Sequence, residues 1–197
     1  MPPTAPATAA RRCAWADSSP LMRRYHDEEW GVPSHDDRYL FEMLILEGAQ
    51  AGLSWSVVLN KRENYRRAFD GFAVGRVAAY DDRRLERLLE DPGIVRNRLK
   101  VKGTVTNARA FIATQETCGS FSDYLWGWVG GHPVVHRPRS TAALAARSGL
   151  SDRLSEDLRR RGFTFVGSTI VYSFLQAVGV VDDHLTTCPS KRPAGRR

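Results

Sequence analysis

The feature that most constrains this chain is the run LFEMLIL at residues 40–46. Its apolar side chains cover nearly the whole circumference of a helix, which is typical of a helix enclosed by the core. Glu47 follows the run and shares a helical face with Leu40 and Ala51, at spacings of seven and four residues. The pattern therefore predicts a central buried helix that turns one carboxyl group inward.

A carboxyl group in the core needs a partner, because an unpaired charge is costly to bury. Glu47 must therefore be protonated, paired with Arg, Lys or backbone N–H groups, or aimed at a pocket that receives a ligand. The chain contains 29 lysines and arginines, so a salt bridge to an arginine is the simpler alternative.

Length and composition indicate a globular protein of one domain. We place this domain at residues 13–188, between a disordered N-terminal tail at 1–12 and a basic C-terminal tail at 189–197. No apolar stretch reaches the roughly 18 residues of a membrane span, and the N-terminus lacks the long apolar centre of a signal peptide. We therefore expect a cytoplasmic protein with no membrane partner.

The net charge of +7 and the pI of about 9.7 favour a polyanionic partner. Lysine and arginine gain affinity for nucleic acids because they release counterions from the phosphates. A generally basic enzyme without such a partner is the alternative.

Helical signals dominate the organisation of the chain. The predicted helices are one capped by residues 35–37, one between Leu53 and Phe69, one carrying Leu85, Leu88 and Leu89, one from about Leu99 to Thr114, one from a cap at Ser151 to Gly162, and one beginning at Ser168 or Thr169. Residues 130–139 are predicted to form an irregular connection. No alternating strand pattern persists, so we predict an all-α fold.

Cysteines and histidines near the two ends of the chain have the chemistry of a zinc site. His184 and Cys188 are four residues apart, which places both side chains on one helical face, whereas Cys13 and His26 are spaced more loosely. Two thiolates and two imidazoles fill a tetrahedral zinc site and leave no open position, so such a metal would be structural. Two free cysteines and two ordinary histidines explain the same residues.

The segment RRRGFTFVGSTIVYSFLQAVG at 159–179 has the pattern of two helices joined by a short turn. In a helix-hairpin-helix, backbone N–H groups of the turn and of the second helix contact a DNA phosphate. Gly162 and Gly167 would permit this close approach, and Ser168 and Thr169 begin the second helix. A plain helical hairpin with a glycine turn is the alternative.

Trp15, Tyr25, Trp30 and Trp55 form an aromatic group around Glu47 in the sequence. Aromatic faces beside an inward carboxylate form a receptor for a flat cation, through cation–π attraction and a charge-assisted hydrogen bond. The alternative is that these rings are ordinary core residues.

Six stretches of the chain carry a further signal when they are taken together: Cys13-Ala-Trp15, YHDEEWGVP (25–33), LFEMLILEGAQAGLSW (40–55), KRENYRRAF (61–69), RGFTFVGSTIVYSFLQAVG (161–179) and VDDHLTTC (181–188). In this order they resemble the type I DNA-3-methyladenine glycosylases of the helix-hairpin-helix superfamily. The resemblance implies a helix-hairpin-helix architecture, removal of 3-methyladenine from alkylated double-stranded DNA, and a structural zinc that joins the N- and C-terminal segments. It also leads us to expect a monomer.

The resemblance assigns a role to each matching position. It implies Cys13, His26, His184 and Cys188 as the zinc ligands, and Glu47 as the catalytic residue in a base pocket formed with Tyr25, Trp55, Trp15 and Trp30. Gly52 and Leu53 resemble the wedge that fills the gap left by a flipped nucleotide.

Two positions depart from the family pattern. Type I enzymes more often have VNDH where this chain has VDDH, so Asp182 is a candidate electrostatic or water-orienting group; the alternative is an exposed or capping carboxylate beside a zinc ligand. Met22 stands where the family commonly has Tyr, which puts one wall of the pocket in doubt.

The expected activity requires little chemistry from the protein. Methylation at N3 makes adenine a cationic leaving group, so tight binding of the extruded base and water as the nucleophile suffice. One rival hypothesis is a zinc-stabilised DNA-binding module without catalysis. A second is a zinc hydrolase, which would need an open coordination position at the metal.

Overall fold

The structure is a computed structural model that describes residues 11–136 and 138–191. Most of the two predicted tails lies outside these residues. Arg11 and Arg12 of the N-terminal tail are described, and the backbone N–H of Arg11 donates to the carbonyl of Thr187 at 3.0 Å. Arg12 pairs with Asp27 at 2.9 Å. The two ends of the described chain therefore lie side by side.

The fold is predominantly helical, as predicted. In chain order the elements are α1 (Pro20–Glu28), α2 (Asp37–Gln50), α3 (Trp55–Asn60), α4 (Arg62–Ala68), α5 (Val74–Ala78), α6 (Asp82–Glu90), α7 (Arg98–Cys118), α8 (Phe121–Gly127), β1 (Val134–Val135), α9 (Gly149–Arg160), α10 (Ser168–Ala177) and β2 (Val181–Asp182). Short 3₁₀ turns lie at Ala14–Ser18, Asp70–Phe72 and Thr141–Ala143. Among the described residues, no helix combines the length and the apolar character that crossing a membrane requires.

Helix α2 is the buried helix that the run at 40–46 predicted. Every residue from Leu40 to Ala49 is buried, because α3, α7, α8 and α10 pack around it. The carboxylate of Asp36 caps its N-terminus by accepting from the N–H groups of Arg38 at 2.8 Å and Tyr39 at 3.3 Å. The helix ends at Gln50, so Glu47 lies in its last turn.

Three details differ from the sequence prediction. The region between Leu53 and Phe69 contains two helices rather than one. Helix α9 is capped by Ser148, and Ser151 stands at its third position, where the two hydroxyls form a capping box. The predicted irregular connection at 130–139 contains β1, which pairs in parallel with β2. Two paired residues on each strand are too few to leave an alternating pattern in the sequence.

Candidate functional site

The aromatic residues that surround Glu47 in the sequence also surround it in space. Together with Glu47, the four residues Trp15, Tyr25, Trp30 and Trp55 line a cavity of about 290 Å³. Met22, Gln50, Leu144, Ala145, Ser173 and Gln176 complete its wall. The cavity thus lies where α1, α2, α3 and α10 meet, and Met22 is part of it.

The rings of the cavity meet at angles rather than in one stack. Trp15 lies edge-on to Trp30 with ring centroids 5.1 Å apart, and Tyr25 is tilted by 47° against Trp55 at 5.2 Å. No ring among the described residues stacks in parallel on Trp55, whose side chain is only half-buried. A flat ligand can therefore stack on this indole.

Glu47 has no ion pair in the described part of the chain. Its side chain is buried, and Oε2 has no hydrogen-bond partner there. Two arginines of α4 bind Glu42, another glutamate of α2. Arg62 Nε donates to Glu42 Oε1 at 2.5 Å, and Arg66 Nε donates to the same oxygen at 3.0 Å. The salt-bridge alternative for Glu47 is therefore not what the structure shows.

Burial dominates the electrostatics of the cavity. It raises the pKa of Glu47 from the ordinary value of 4.5 to about 8. Burial also raises the pKa of Tyr25 well above its usual range, and the nearby Glu47 adds to this effect. The indole N–H of Trp55 is a second buried polar group without a partner among the described residues. An unmatched acceptor and an unmatched donor each cost about 1–3 kcal/mol, which a ligand with complementary groups offsets.

A short loop with an apolar tip follows α2 beside the cavity. Gly52 has a φ of +78°, a backbone conformation that favours glycine, and the side chain of Leu53 is 41% exposed. Lys100 of α7 holds the loop, because its ammonium group donates to the carbonyl oxygens of Ala49 at 2.8 Å and Ala51 at 2.6 Å. The sequence did not indicate this role for Lys100, since its partners are about fifty residues away.

Helices α9 and α10 form a hairpin whose turn contains Gly162 at a φ of +90°. Gly167 is the N-cap residue of α10 and offers no side-chain cap. The backbone N–H groups of Ser168 and Thr169 have no acceptor in the described chain, while the hydroxyl of Ser168 donates to Asp152 at 2.6 Å. The open amides make this helix end suitable for an anion.

Three of the four predicted metal ligands form a compact group, and the fourth, His184, lies beside it. The ligand atoms of Cys13, His26 and Cys188 all lie within 4.8 Å of one another, and Cys188 Sγ is 3.5 Å from His26 Nε2. The ring of His184 lies beside this group, with its centroid 4.8 Å from that of His26. Its Nε2 is buried and has no partner among the described residues.

Carboxylates orient both histidines of this cluster. Asp27 Oδ1 lies 2.8 Å from His26 Nδ1, and Asp182 Oδ1 lies 2.8 Å from His184 Nδ1. In each ring the carboxylate engages Nδ1 and leaves Nε2 as the remaining ring nitrogen, which is the usual arrangement of metal-binding histidines. Gly31 allows the close packing, because a Cβ there would lie 2.8 Å from the His184 ring.

Asp182 belongs to this cluster rather than to the aromatic cavity. It is buried, so the exposed alternative is wrong, and Oδ1 also accepts from the backbone N–H of His184 at 3.1 Å. Burial opposes its ionisation, but the hydrogen bonds from His184 hold the pKa of Asp182 below its usual range. Its position is that of a carboxylate that fixes a histidine ring.

The arrangement can be compared with known proteins. A family model described as methyladenine glycosylase matches residues 15–191. The DNA-3-methyladenine glycosylase 1 of Escherichia coli (strain K12) is 45% identical over 185 residues, covering 92% of this chain and 99% of that protein. The DNA-3-methyladenine glycosylase of Haemophilus influenzae is 40% identical over 180 residues, covering 91% of this chain and 97% of that protein.

The likeness extends to solved structures. A variant of 3-methyladenine DNA glycosylase I in complex with 3-methyladenine is similar to this fold with a TM-score of 0.90 at 37% identity, covering 93% of this chain and 98% of that one. The family match spans the cavity residues and, apart from Cys13, the cysteine–histidine cluster. On these findings the chain belongs to the methyladenine glycosylase family.

Proposed function

We propose that the protein is a monofunctional DNA-3-methyladenine glycosylase, which hydrolyses the N-glycosidic bond of 3-methyladenine in alkylated DNA during base excision repair. The observation that carries this proposal is the buried Glu47 in an aromatic cavity, whose Oε2 has no partner among the residues that the structure describes. Family membership, the names of the relatives and the 3-methyladenine bound in a similar structure support it.

The cavity discriminates by charge. Methylation at N3 leaves adenine cationic in the nucleotide, whereas an undamaged adenine is neutral. A cation lowers the pKa of a nearby carboxyl group, so the damaged base draws Glu47 into its ionised form and is bound by it. Trp55 stacks on the base, and Tyr25, Trp15 and Trp30 enclose it.

The chemical step needs no strong base from the protein. The bond between N9 and C1′ breaks, and its electron pair moves into the purine, which leaves as the neutral base. Water adds to C1′ and its proton passes to solvent. Glu47 acts by holding the cationic base within the cavity, and this binding supplies the energy that keeps the nucleotide out of the helix.

We propose that double-stranded DNA contacts two parts of the surface. Leu53, at the exposed tip of the loop after Gly52, fills the gap left by the extruded nucleotide. The α9–α10 hairpin acts as the helix-hairpin-helix, in which Gly162 forms the turn and the amides of Ser168 and Thr169 after Gly167 receive a phosphate. Arg147 and Arg159 lie beside this helix end, together with Asp152 and Glu156.

We further propose that Cys13, His26, His184 and Cys188 hold a structural zinc ion. The donor set fits Zn²⁺, because two thiolates and two imidazoles complete its tetrahedral coordination. This assignment is supported by Nε2 of His184, which has no partner in the described part of the chain, and by the carboxylates that hold both rings. The ion would tie the N-terminal segment to the C-terminal one.

Release of free bases from methylated DNA, resolved by chromatography, tests the proposed activity. The wild-type protein should release 3-methyladenine, and Glu47→Gln should slow this release roughly a hundredfold, because the charge that holds the cation is lost. Glu116→Gln, at an exposed position on α7, is the control and should match the wild type. Undiminished release by Glu47→Gln, or none by the wild type, contradicts the proposal.

Elemental analysis tests the zinc site separately. We expect one zinc per chain and, after substitution, a cobalt spectrum typical of two sulfur and two nitrogen ligands. A metal-free protein with native stability would contradict the zinc proposal.

The domain boundaries, the monomeric state and the cytoplasmic location stay predictions. The rival module without catalysis would not require a cavity lined by aromatic rings around Glu47.

A further inference from the structure

Gln176 on α10 lines the cavity together with Glu47, and two of its polar groups are already engaged. Its amide nitrogen Nε2 donates to Oδ2 of Asp183 at 2.6 Å. Its backbone carbonyl accepts from the N–H of Gly31 at 2.8 Å. Both the main chain and one end of the side chain are therefore fixed.

Asp183 determines which way the amide of Gln176 points. Asp183 is buried, and its Oδ2 also accepts from the hydroxyl of Tyr172 at 2.7 Å, while Oδ1 lies 2.6 Å from Nδ1 of His136. A carboxylate only accepts hydrogen bonds, so the nitrogen of Gln176 must face it. Turning the amide around would place two oxygens against each other. This glutamine therefore lacks the usual freedom to exchange donor and acceptor.

The remaining polar atom of Gln176 is the amide oxygen Oε1. No residue in the described chain donates to it, and Oε1 is not among the enclosed polar atoms without a partner. Because Gln176 lines the cavity, Oε1 is the group that this residue offers to a ligand. A ligand atom placed there must be a donor.

We propose that Gln176, held by Asp183, is a specificity-determining residue that favours purines with an amino group at C6 over purines with an oxygen there. This inference rests on the proposed function. A flipped purine keeps N9 on the sugar, so its C6 edge enters the cavity first. The amino group of adenine donates to Oε1, whereas the carbonyl of guanine would place one acceptor against another. Such a mismatch in a buried site disfavours the wrong base by roughly 10- to 100-fold.

The ratio of two released bases tests this proposal. DNA treated with dimethyl sulfate is incubated with each variant, and 3-methyladenine and 3-methylguanine are quantified by chromatography. Gln176→Met removes the fixed acceptor and should lower the 3-methyladenine to 3-methylguanine ratio about tenfold. Asp183→Ala removes the acceptor that fixes the amide, so it should also lower the ratio.

Gln115→Met is the matched control. Gln115 also donates Nε2 to an aspartate, Asp37, at 2.7 Å, but it does not line the cavity, so the ratio should stay at the wild-type value. A general loss of stability would lower both products together and leave the ratio unchanged. Wild-type ratios in both Gln176→Met and Asp183→Ala would overturn the inference and leave the proposed function standing. A wild-type protein that releases neither base contradicts the proposed function itself.

Discussion

The wild-type protein is expected to lose stability as the pH rises, and replacing Glu47 with glutamine should abolish a large part of that loss. In the folded, ligand-free protein, burial raises the pKa of Glu47 from 4.5 to about 8. Below pH 4.5 the carboxyl group is protonated in both the folded and the unfolded chain. Between pH 4.5 and about 8 the unfolded chain ionises and the folded one does not, so unfolding becomes easier as the pH rises.

The size of the effect follows from the two pKa values. While only the unfolded chain is ionised, the free energy of unfolding falls by about 1.4 kcal/mol per pH unit. Over the whole interval from 4.5 to about 8 the loss from this group approaches about 5 kcal/mol. Glutamine has no proton to lose, so the loss disappears in Glu47→Gln. The difference in stability between variant and wild type should therefore grow steadily with pH and level off above about 8.

Urea unfolding followed by far-UV circular dichroism, from about pH 5 to about pH 8.5, measures this difference. Comparing variants at the same pH cancels the protonation of the cysteines and histidines near the metal site. Glu47→Met serves as the second variant, because it also lacks an ionisable group and should share the pH dependence of Glu47→Gln. Parallel profiles for the wild type and both variants would refute the reasoning, since they would show that Glu47 keeps an ordinary carboxyl group in the folded protein.

Two further predictions concern the cavity and the loop beside it. The first uses 3,9-dimethyladeninium, a permanent cation that mimics the N3-methylated nucleoside. Its affinity should increase about tenfold for each pH unit as the pH is raised towards about 8, because Glu47 must lose its proton to bind the cation. Calorimetric affinities that stay constant with pH would contradict this prediction. Lys100→Met removes the ammonium group that holds Ala49 and Ala51, so excision from duplex DNA should fall roughly fivefold with the affinity for 3,9-dimethyladeninium unchanged. An equal loss in both measurements would show that Lys100 supports the cavity rather than the Leu53 loop.

Much of the fold could be predicted because its signals are local. The run at 40–46 indicated a helix enclosed by the core, and the structure buries every residue from Leu40 to Ala49. The prediction of a cap among residues 35–37 was also correct, with Asp36 as the capping residue, and so was the start of α10. The pairing of β1 with β2 and the cap at Ser148 were missed, because a two-residue strand has no periodicity and because Ser148 and Ser151 both stand at the start of α9.

The sequence also predicted one part of the site and left another part open. The sequence indicated that Glu47 points inward, because helical geometry fixes the face on which a residue lies. It did not determine which glutamate the arginines would bind. Glu42 lies one and a half helical turns earlier, on the side of Arg62 and Arg66, and takes both of them. Only tertiary packing decided that choice, because it depends on where α4 lies against α2.

By itself the sequence determined the helical class, the inward carboxyl group and the residue types that suit a zinc ion. The tertiary structure decided that no arginine among the described residues pairs with Glu47, that Lys100 holds the loop before Leu53, and that Asp183 fixes the amide of Gln176. The physical reason is the distance along the chain over which each effect acts. Periodicity and capping act within a few residues, whereas these partners are brought together only when distant helices pack and exclude water from the groups between them.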